Sequence, residues 1–395
     1  MRAQHTAHPL PAFPVYSSAF VAPDELVLGG GGGQSRSGIK NALRLYRVEN
    51  HKTLNLLHQL ELGAGEDAPM SMAAHPTSKE IACGINSSVE KLKEGSNQNC
   101  RVYAIRDEKV SPVSTQSTLV LKDTEDDFQK VTVFSRSGRT LVVSGTRDFS
   151  VLAYPSLSPV AQAIHLEKGE IFDATFSSKT LVVATTVNLL VYDIEAIENT
   201  EKDLVTGDKE PLPELKLIRT IERPNLPGKD AGSSFRAIRF NPEDETTLYS
   251  VINTVPPRTR TKSSPRRAFV CKWNTETWEM AKARKVSDRG LTCFDVSPNA
   301  KFLAFGSSDY TVGVLDASTL APLLTILKAH EFPPTTLRFN TTSSLLVSGS
   351  ADNSVRVVTI PANLGATAWT FWILVIVTLL VILFAILAQK MVQGF

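Results

Sequence analysis

Five consecutive glycines, Gly29 to Gly33, are followed closely by Gly38, Ile39, Lys40 and Asn41 within the stretch LVLGGGGGQSRSGIKNALRLYRV, residues 26–48. A glycine-rich turn ending in a lysine is the raw material of a phosphate cradle. Its backbone amides surround the phosphates, the lysine reaches the outer one and a following hydroxyl holds magnesium. The spacing starts correctly, with four residues between Gly33 and Gly38, but Ile39 then displaces Lys40 by one place and no hydroxyl follows. The downstream context fails as well. In NALRLYRV, Leu43, Leu45 and Val48 alternate with polar residues, which reads as a strand where a phosphate-capping helix is required. A dinucleotide fingerprint needs the same strand, turn and helix and fails for the same reason. What remains is a long, glycine-rich connection between two strands. Glycine permits positive φ without Cβ clashes, so such a connection is either a plain linker or a shaped recognition loop.

No other constellation of reactive residues competes with it. Cys83, Cys100, Cys271 and Cys293 form no CxxC pair, and the seven histidines form no HExxH cluster. Scattered cysteines of this kind read as reduced thiols and not as a zinc site or disulfide framework. There is no GxSxG and no nucleophile-base motif, so bond-making catalysis is not expected. A net charge of +2 over 395 residues leaves no overall footprint for nucleic acid.

The elements that must carry the loop are short strands. From about residue 15 to 360 the chain repeats apolar-alternating runs separated by turn residues, with few helical periods. The clearest unit, LTCFDVSPNAKFLAFGSSDYTVGVLDASTLAPLLTILKAH (291–330), reads as four strands joined by turns. TTLRFNTTSSLLVSGSADNSVRVVTI repeats its first three strands, and VTVFSRSGRTLVVSGTRDFSVLAY has the same form. The pieces FGSSDYTVGVLD, SGSADNSVRVV, SGTRDFSVLAY and KAH resemble WD repeats, at a period near forty residues. Leu315–Asp316 stands where the Trp-Asp pair would be. Asp148, Asp309 and Asp352 then become braces of tight turns, structural and not catalytic. The units fall at roughly 15–62, 69–122, 128–167, 170–222, 233–287, 290–328 and 334–360. The last shows only three strands, and a ring left open would expose an edge. The stretch before Val15 is therefore expected to close it. The fold class expected is all-β: a seven-bladed WD-repeat-like β-propeller with a C-terminal transmembrane helix.

Two insertions interrupt the repeats. One is acidic, EAIENTEKDLVTGDKEPLPELK. The other, 255–268, carries Arg258, Arg260, Lys262, Arg266 and Arg267. Both read as solvated loops.

The C-terminus reads differently. WTFWILVIVTLLVILFAILA, from Trp369 to Ala388, contains no charge; as a helix it would span about 30 Å, the thickness of a bilayer core. Trp369 and Trp372 mark one interface and Lys390 the other. The N-terminus has no apolar signal-peptide region. The domains expected are a cytosolic propeller over 1–360, a linker over 361–368, a transmembrane helix over 369–388 and a short lumenal tail over 389–395. Asn86-Ser87-Ser88 and Asn340-Thr341-Thr342 match the glycosylation pattern; a lumenal propeller would carry glycans there and a cytosolic one would not.

Propeller, anchor and glycine-rich stretch together resemble the endoplasmic-reticulum exchange factors for the Sar GTPase, the Sec-twelve family. The residues that carry the resemblance are Gly29 to Gly32, then Gly38–Ile39 and Asn41. It implies a loop that protrudes between strands of the first blade, holds a potassium ion and engages the GTPase near its nucleotide. It implies a guanine-nucleotide exchange factor with no covalent chemistry, acting on a Sar-type small GTPase at the ER membrane. There it would start COPII coat assembly and ER-to-Golgi transport, as a single-pass protein facing the cytosol. Gly29, Gly30, Gly31, Gly32 and Asn41 become the potassium residues, and Gly38, Ile39 and Asn41 the exchange loop. Carbonyl and amide oxygens suit a large, weakly hydrated monovalent cation. The competing readings are a non-catalytic tail-anchored scaffold or cargo adaptor with an ordinary flexible loop, and a propeller enzyme without recognisable motifs.

Overall fold

The computed structural model describes residues 4–34, 37–119, 127–195, 197, 211–228, 230–256, 266–365 and 369–393. Arg258, Arg260 and Lys262 of the basic insertion, most of the acidic insertion, and Ser35 and Arg36 of the glycine-rich loop lie outside them.

A strand β1 (His5–Pro9) comes first, followed by blade 1 with β2 (Val15–Phe20), β3 (Glu25–Gly30), β4 (Ala42–Glu49) and β5 (Thr53–Glu61). Blade 2 holds β6 (Ser71–Ala74), β7 (Glu80–Gly84), β8 (Cys100–Arg106) and β9 (Lys109–Gln116), with a short helix α1 (Val89–Lys93) between β7 and β8. Blade 3 is β10 (Val131–Phe134), β11 (Thr140–Ser144), β12 (Asp148–Ala153) and β13 (Ile164–His165). Blade 4 is β14 (Ile171–Phe176), β15 (Thr180–Thr185), β16 (Asn188–Asp193) and β17 (Leu217–Glu222). Blade 5 is β18 (Gly232–Phe240), β19 (Thr247–Val255), β20 (Ala268–Asn274) and β21 (Glu279–Ser287). Blade 6 is β22 (Leu291–Val296), β23 (Phe302–Ser307), β24 (Val312–Asp316) and β25 (Pro322–Ile326). Blade 7 is β26 (Pro334–Phe339), β27 (Leu345–Ser350) and β28 (Ser354–Thr359), completed by β1, which pairs antiparallel with β28 from His5↔Val358 to Pro9↔Ser354. The described residues thus form seven four-stranded sheets. Their first strands touch in a closed ring, β2 to β6, β10, β14, β18, β22, β26 and back to β2. The seven-bladed propeller read from the repeats is the fold.

The sequence pattern follows from where each strand sits. Middle strands are covered on both faces by neighbouring blades. β3, β11, β23 and β27 are buried along their whole length and accordingly read as runs of apolar or small residues, apart from Glu25 at the start of β3, which is paired with Arg47 and Lys79. Outermost strands such as β5 and β21 alternate between half-buried and exposed, because one face meets water. The core lies between sheets. Phe13, Val15, Leu26 and Leu28 of blade 1 pack with Val347, Val355 and Val357 of blade 7. All four cysteines are free, and burial pushes the thiols of Cys100 and Cys271 up to about 12.

Of the three aspartates expected to brace turns, Asp352 and Asp309 do so, whereas Asp148 pairs across two strands. Asp352 accepts hydrogen bonds from the Glu331 N–H (2.7 Å) and Ser354 Oγ (2.6 Å) and lies 3.3 Å from His330 Nδ1. His330, the histidine of KAH, also bonds Ser354 Oγ and Ser348 Oγ. Asp148 bonds His165 across the β12–β13 pair (2.7 Å), and Asp309 accepts the Thr311 N–H (3.2 Å). Burial holds the His330 imidazole below its ordinary pKa, against the pull of Asp352. The unfolded chain therefore takes up a proton first as pH falls through about 6.5, and stability present above that pH is lost below it. We expect the thermal midpoint to fall between pH 7 and pH 5.5 and His330→Gln to flatten that fall. Its baseline stability should drop by about 2 kcal/mol for the broken buried network. Thermal melts at several pH values check both, and an unflattened profile would remove His330 as the sensitive group.

Arg2–Ile360 forms one compact unit and the residues from Pro361 onward a second. The second contains α2 (Trp369–Gln393). Its side chains are described for 373–386 and 389; Leu374, Leu379 and Phe384 are all exposed. Among the described residues no helix is long and apolar enough to cross a membrane.

Candidate functional site: the glycine-rich loop of blade 1

Alternation of strand direction fixes which connections share a face. In an antiparallel blade the first and third turns lie at one end, and the second turn and the link to the next blade lie at the other. The β3–β4 loop therefore shares its end with the β1–β2 link (10–14), the β5–β6 link (62–70), the β7–β8 loop and the β9–β10 link. Hydrogen bonds join these segments into one surface. The Gly31 N–H donates to Pro14 O (2.9 Å), the Asp67 N–H to Asn86 O (3.1 Å) and Asn86 Nδ2 to Asp127 O (2.8 Å). Asp127 in turn accepts the Thr146 N–H and hydroxyl.

The glycines divide into two classes. Gly29 and Gly30 are not loop residues: they end β3, paired with Leu43 and Ala42 on β4. A Cβ at Gly29 would lie 2.4 Å from Ser17 Oγ and 2.6 Å from Pro69 Cβ, and one at Gly30 would lie 2.2 Å from Pro14 O. These two glycines permit close approach of neighbouring backbone. The loop proper starts at Gly31, where φ is +138°, and Gly33 and Gly38 also take positive φ, at +67° and +76°.

Asn41 is the hinge of the arrangement. It is 9% exposed. Its Oδ1 accepts the Gly33 N–H (2.9 Å), and its Nδ2 donates to Gly33 O (2.9 Å) and Glu66 O (2.7 Å). One side chain thus holds the rising limb of the loop from inside and ties it to the β5–β6 link. The limbs come together tightly. A Cβ on Gly31 would sit 2.2 Å from Asn41 Oδ1 and 2.7 Å from Lys40 O; one on Gly32 would sit 2.2 Å from Ser37 Oγ and 2.9 Å from Ile39 O. Neutral oxygens of Ser37, Ile39, Lys40 and Asn41 therefore crowd the Gly31–Gly32 backbone. Gly38 is open: among the described residues nothing lies within 4 Å of a Cβ placed there. Ile39 is half-buried, and its N–H donates to Ser37 Oγ (3.3 Å). Lys40 does not point to a phosphate site; it forms an exposed ion pair with Glu61 (2.6 Å).

The second wall was not singled out in the sequence. Glu66 pairs with Arg101 (2.9 Å), with side chains only 15% and 10% exposed. Burial alone would raise the Glu66 carboxyl, but the Arg101 guanidinium and the Gly63 N–H hold it below its ordinary value. Burial raises the neighbouring Asp67 carboxyl, despite the Ala68 and Gln34 N–H groups that it accepts. The available signal was LGAGEDAPM: two glycines and adjacent acids in a link that topology places beside the loop. Among the described residues no group of three or more His, Cys, Asp or Glu side chains could hold a metal ion, and the neutral oxygens of the loop are donors of another kind.

This geometry separates the glycines experimentally. Gly31→Ala puts a methyl into the Asn41 clamp, whereas Gly38→Ala meets only an unfavourable φ of about 1 kcal/mol. Limited proteolysis followed by mass spectrometry should show cleavage between 33 and 40 several-fold faster in Gly31→Ala and little changed in Gly38→Ala. Equal protection in both variants would mean that the clamp does not shape the loop.

Comparison with known proteins bears on the chain as a whole. The family model "WD domain, G-beta repeat" matches residues 321–358. The chain is 23% identical over 364 residues to the guanine nucleotide-exchange factor SEC12 of Candida glabrata, spanning 89% of this chain and 71% of that protein. It is 24% identical to the SEC12-like protein 2 of Arabidopsis thaliana, over 83% and 74% of the two chains. It is 23% identical to the guanine nucleotide-exchange factor SEC12 of Mus musculus, over 94% and 93%. Among solved structures, Raptor of Chaetomium thermophilum superposes with a TM-score of 0.62 at 12% identity, covering 90% of this chain and 29% of that one; that likeness is of fold alone. The resemblance read from the glycine-rich stretch and the propeller is thus matched along most of the chain.

Proposed function

We propose that this chain is a guanine-nucleotide exchange factor for a Sar-type small GTPase at the endoplasmic-reticulum membrane, starting COPII coat assembly and ER-to-Golgi transport. The observation that carries this reading is the nearly end-to-end likeness to a protein named as an exchange factor, 94% of one chain against 93% of the other. The loop geometry agrees with it. A clamped base with an open tip at Gly38 and Ile39 can press on a partner without collapsing.

Exchange needs no covalent step. A factor that binds the nucleotide-free GTPase more tightly than the GDP form lowers GDP affinity by the same factor, by linkage. Gly31 and Asn41 hold the loop in one shape, and Ile39 offers an apolar contact at the tip. The neutral oxygens around Gly31 and Gly32 fit a potassium ion. The donors proposed are on Ser37, Ile39, Lys40 and Asn41 and the Gly31–Gly33 backbone, with Gly29 and Gly30 shaping the blade beneath. A bound ion would stiffen the loop, whose ordering otherwise costs about 1–2 kcal/mol per residue.

The membrane part of the proposal rests on the uncharged run from Trp369 to Ala388, read as a single span with the propeller in the cytosol. Glycosylation does not test that orientation. Asn86 and Asn340 are 5% and 1% exposed, and each amide donates within the fold, to Asp127 O and Pro23 O. Protease protection in sealed microsomes does: the propeller should be digested from outside. The function itself is tested by mixing the full chain in detergent with a Sar-type GTPase loaded with fluorescent GDP. Accelerated release is expected. Release at the intrinsic rate would leave the tail-anchored scaffold or cargo adaptor as the better account.

A further inference from the structure

The ring of first strands encloses a chamber of about 540 Å³, within the ~300–1,000 Å³ usual for small-molecule sites. Its lining includes Tyr16, Met70, Phe128, Lys130, Phe172 and Arg236. Most of these stand at or just before the starts of the first strands, so the chamber lies toward the face that carries the glycine-rich loop.

The charges around the chamber are unevenly matched. Arg239 bonds Asp173 and faces Asp295 at 3.8 Å, and Arg338 faces Asp295 at 3.9 Å. Lys130 faces the half-exposed Glu170 at 3.8 Å, beyond hydrogen-bond distance, and lies over the Phe128 ring. Arg236 differs. Among the described residues it has no carboxylate at ion-pair distance. Its Nη2 donates to Thr292 O (3.1 Å) and its guanidinium lies 4.7 Å from the Phe172 ring centre. Burial lowers its pKa against the more distant pull of Cys293 and Asp173, yet an arginine does not give up its proton in a protein. A guanidinium has five donors, and a carbonyl and an aromatic face leave most of its fork unused. Arg236 is half-buried and lines the chamber, so its unused donors are open to an oxyanion bound there.

Lys130, Phe172 and Arg236 line the same chamber from three successive blades, with Arg236 against the Phe172 ring and Lys130 facing Glu170. We propose that this chamber is a binding site for a phosphate-type oxyanion, held by the free fork of Arg236 and the ammonium of Lys130 with Phe128 and Phe172 as flanking walls. Phosphate matches the planar fork of arginine in a bidentate pair. The chemistry is shared by free inorganic phosphate and by a phosphorylated polyol, and the volume admits either. The inference does not depend on the exchange reading.

The test is isothermal titration calorimetry on the full chain in neutral detergent at fixed ionic strength, with inorganic phosphate and with inositol hexakisphosphate as probes. Saturable one-to-one binding of at least one probe is expected. Arg236→Met should weaken it by about tenfold or more, the loss of a charge-assisted pair, and Lys130→Met by severalfold. Arg236→Lys should fall between. The polyol phosphate binding far more tightly than phosphate would identify a multiply phosphorylated ligand; comparable binding would identify free phosphate. If Arg236→Met does not fold, Lys130→Met and the arginine-to-lysine variant decide. No saturable binding of either probe, or affinity unchanged in the variants that fold, would overturn the proposal.

Discussion

Asn41→Ala is expected to slow GDP release from the partner GTPase by roughly thirtyfold while leaving the propeller folded. The amide makes three hydrogen bonds, two to Gly33 and one to Glu66 O. Their joint loss is worth about 2 kcal/mol or slightly more. Asn41 lies in the first position after the loop, one residue before β4, and contributes no apolar volume to the core clusters, so most of the loss falls on loop shape. If that shape is needed only in the exchange transition state, 2 kcal/mol becomes a rate factor near thirty. Asn41→Asp separates two roles. It keeps an oxygen that can accept the Gly33 N–H or ligate a cation, but it turns both donors toward Gly33 O and Glu66 O into acceptors. A clamp predicts that Asp is at least as damaging as Ala; an oxygen ligand alone predicts that Asp retains activity. With an ion in the loop, wild-type exchange should also be faster in potassium than in sodium or lithium at equal ionic strength, because the smaller ions cost more to dehydrate and fit a large oxygen cage less well. Stopped-flow release in the three salts reads both effects. Wild-type rates for Asn41→Ala and no salt preference would reduce the loop to a passive linker.

Deleting residues 1–12 should destabilise the propeller by about 3–5 kcal/mol, a fall of several degrees in thermal midpoint. The deletion removes β1 and its five-residue register with β28. It also removes Leu10, 6% exposed, whose N–H donates to Asn353 O (2.7 Å). Beyond the lost contacts, β28 becomes an open edge, a template for pairing with another chain. The truncated protein should therefore self-associate at concentrations where the parent does not, and light scattering during the melt would show it. Restoring residues 1–12 as a separate peptide should recover part of the midpoint. An unchanged melt would mean that the ring holds without its closing strand.

The family repeat at 321–358 illustrates how a propeller encodes itself. It starts on β25, the outer strand of blade 6, and ends on β28 of blade 7. The repeat along the chain is thus offset by one strand from the sheet in space. That offset leaves the last sheet one strand short, and β1 supplies it. The shortage was visible in the sequence because TTLRFNTTSSLLVSGSADNSVRVVTI carries three alternating runs and no fourth. The identity of the closing strand was less visible. HTAHP is half-exposed and polar, and its place in a sheet comes from backbone pairing, which leaves no side-chain signature.

At the loop the division is sharper. Composition and spacing were enough to exclude a nucleotide cradle, because a strand follows where a helix must, and β4 begins at Ala42. Gly31, Gly38 and Asn41 were singled out by the family resemblance; composition and spacing alone left a linker and a shaped loop both open. They could not say that Gly29 and Gly30 are strand residues, since a run of glycines has no side-chain periodicity from which to read the end of a strand. Nor could they find Glu66, Asp67 and Arg101, which reach the loop from 25 or more positions away in the chain. The chamber residues Lys130, Phe172 and Arg236 are scattered through three repeats and look like ordinary surface and core positions. By itself the sequence determined the local quantities: which segments alternate, where turns fall, how many blades the repeats fill and that the ring needs an extra strand. Only the tertiary structure decided which distant segments share a face and which charges find partners. Ring closure brings the first strands of all the blades around one axis, and hydrogen bonds and ion pairs between blades depend on that packing and not on neighbours in sequence.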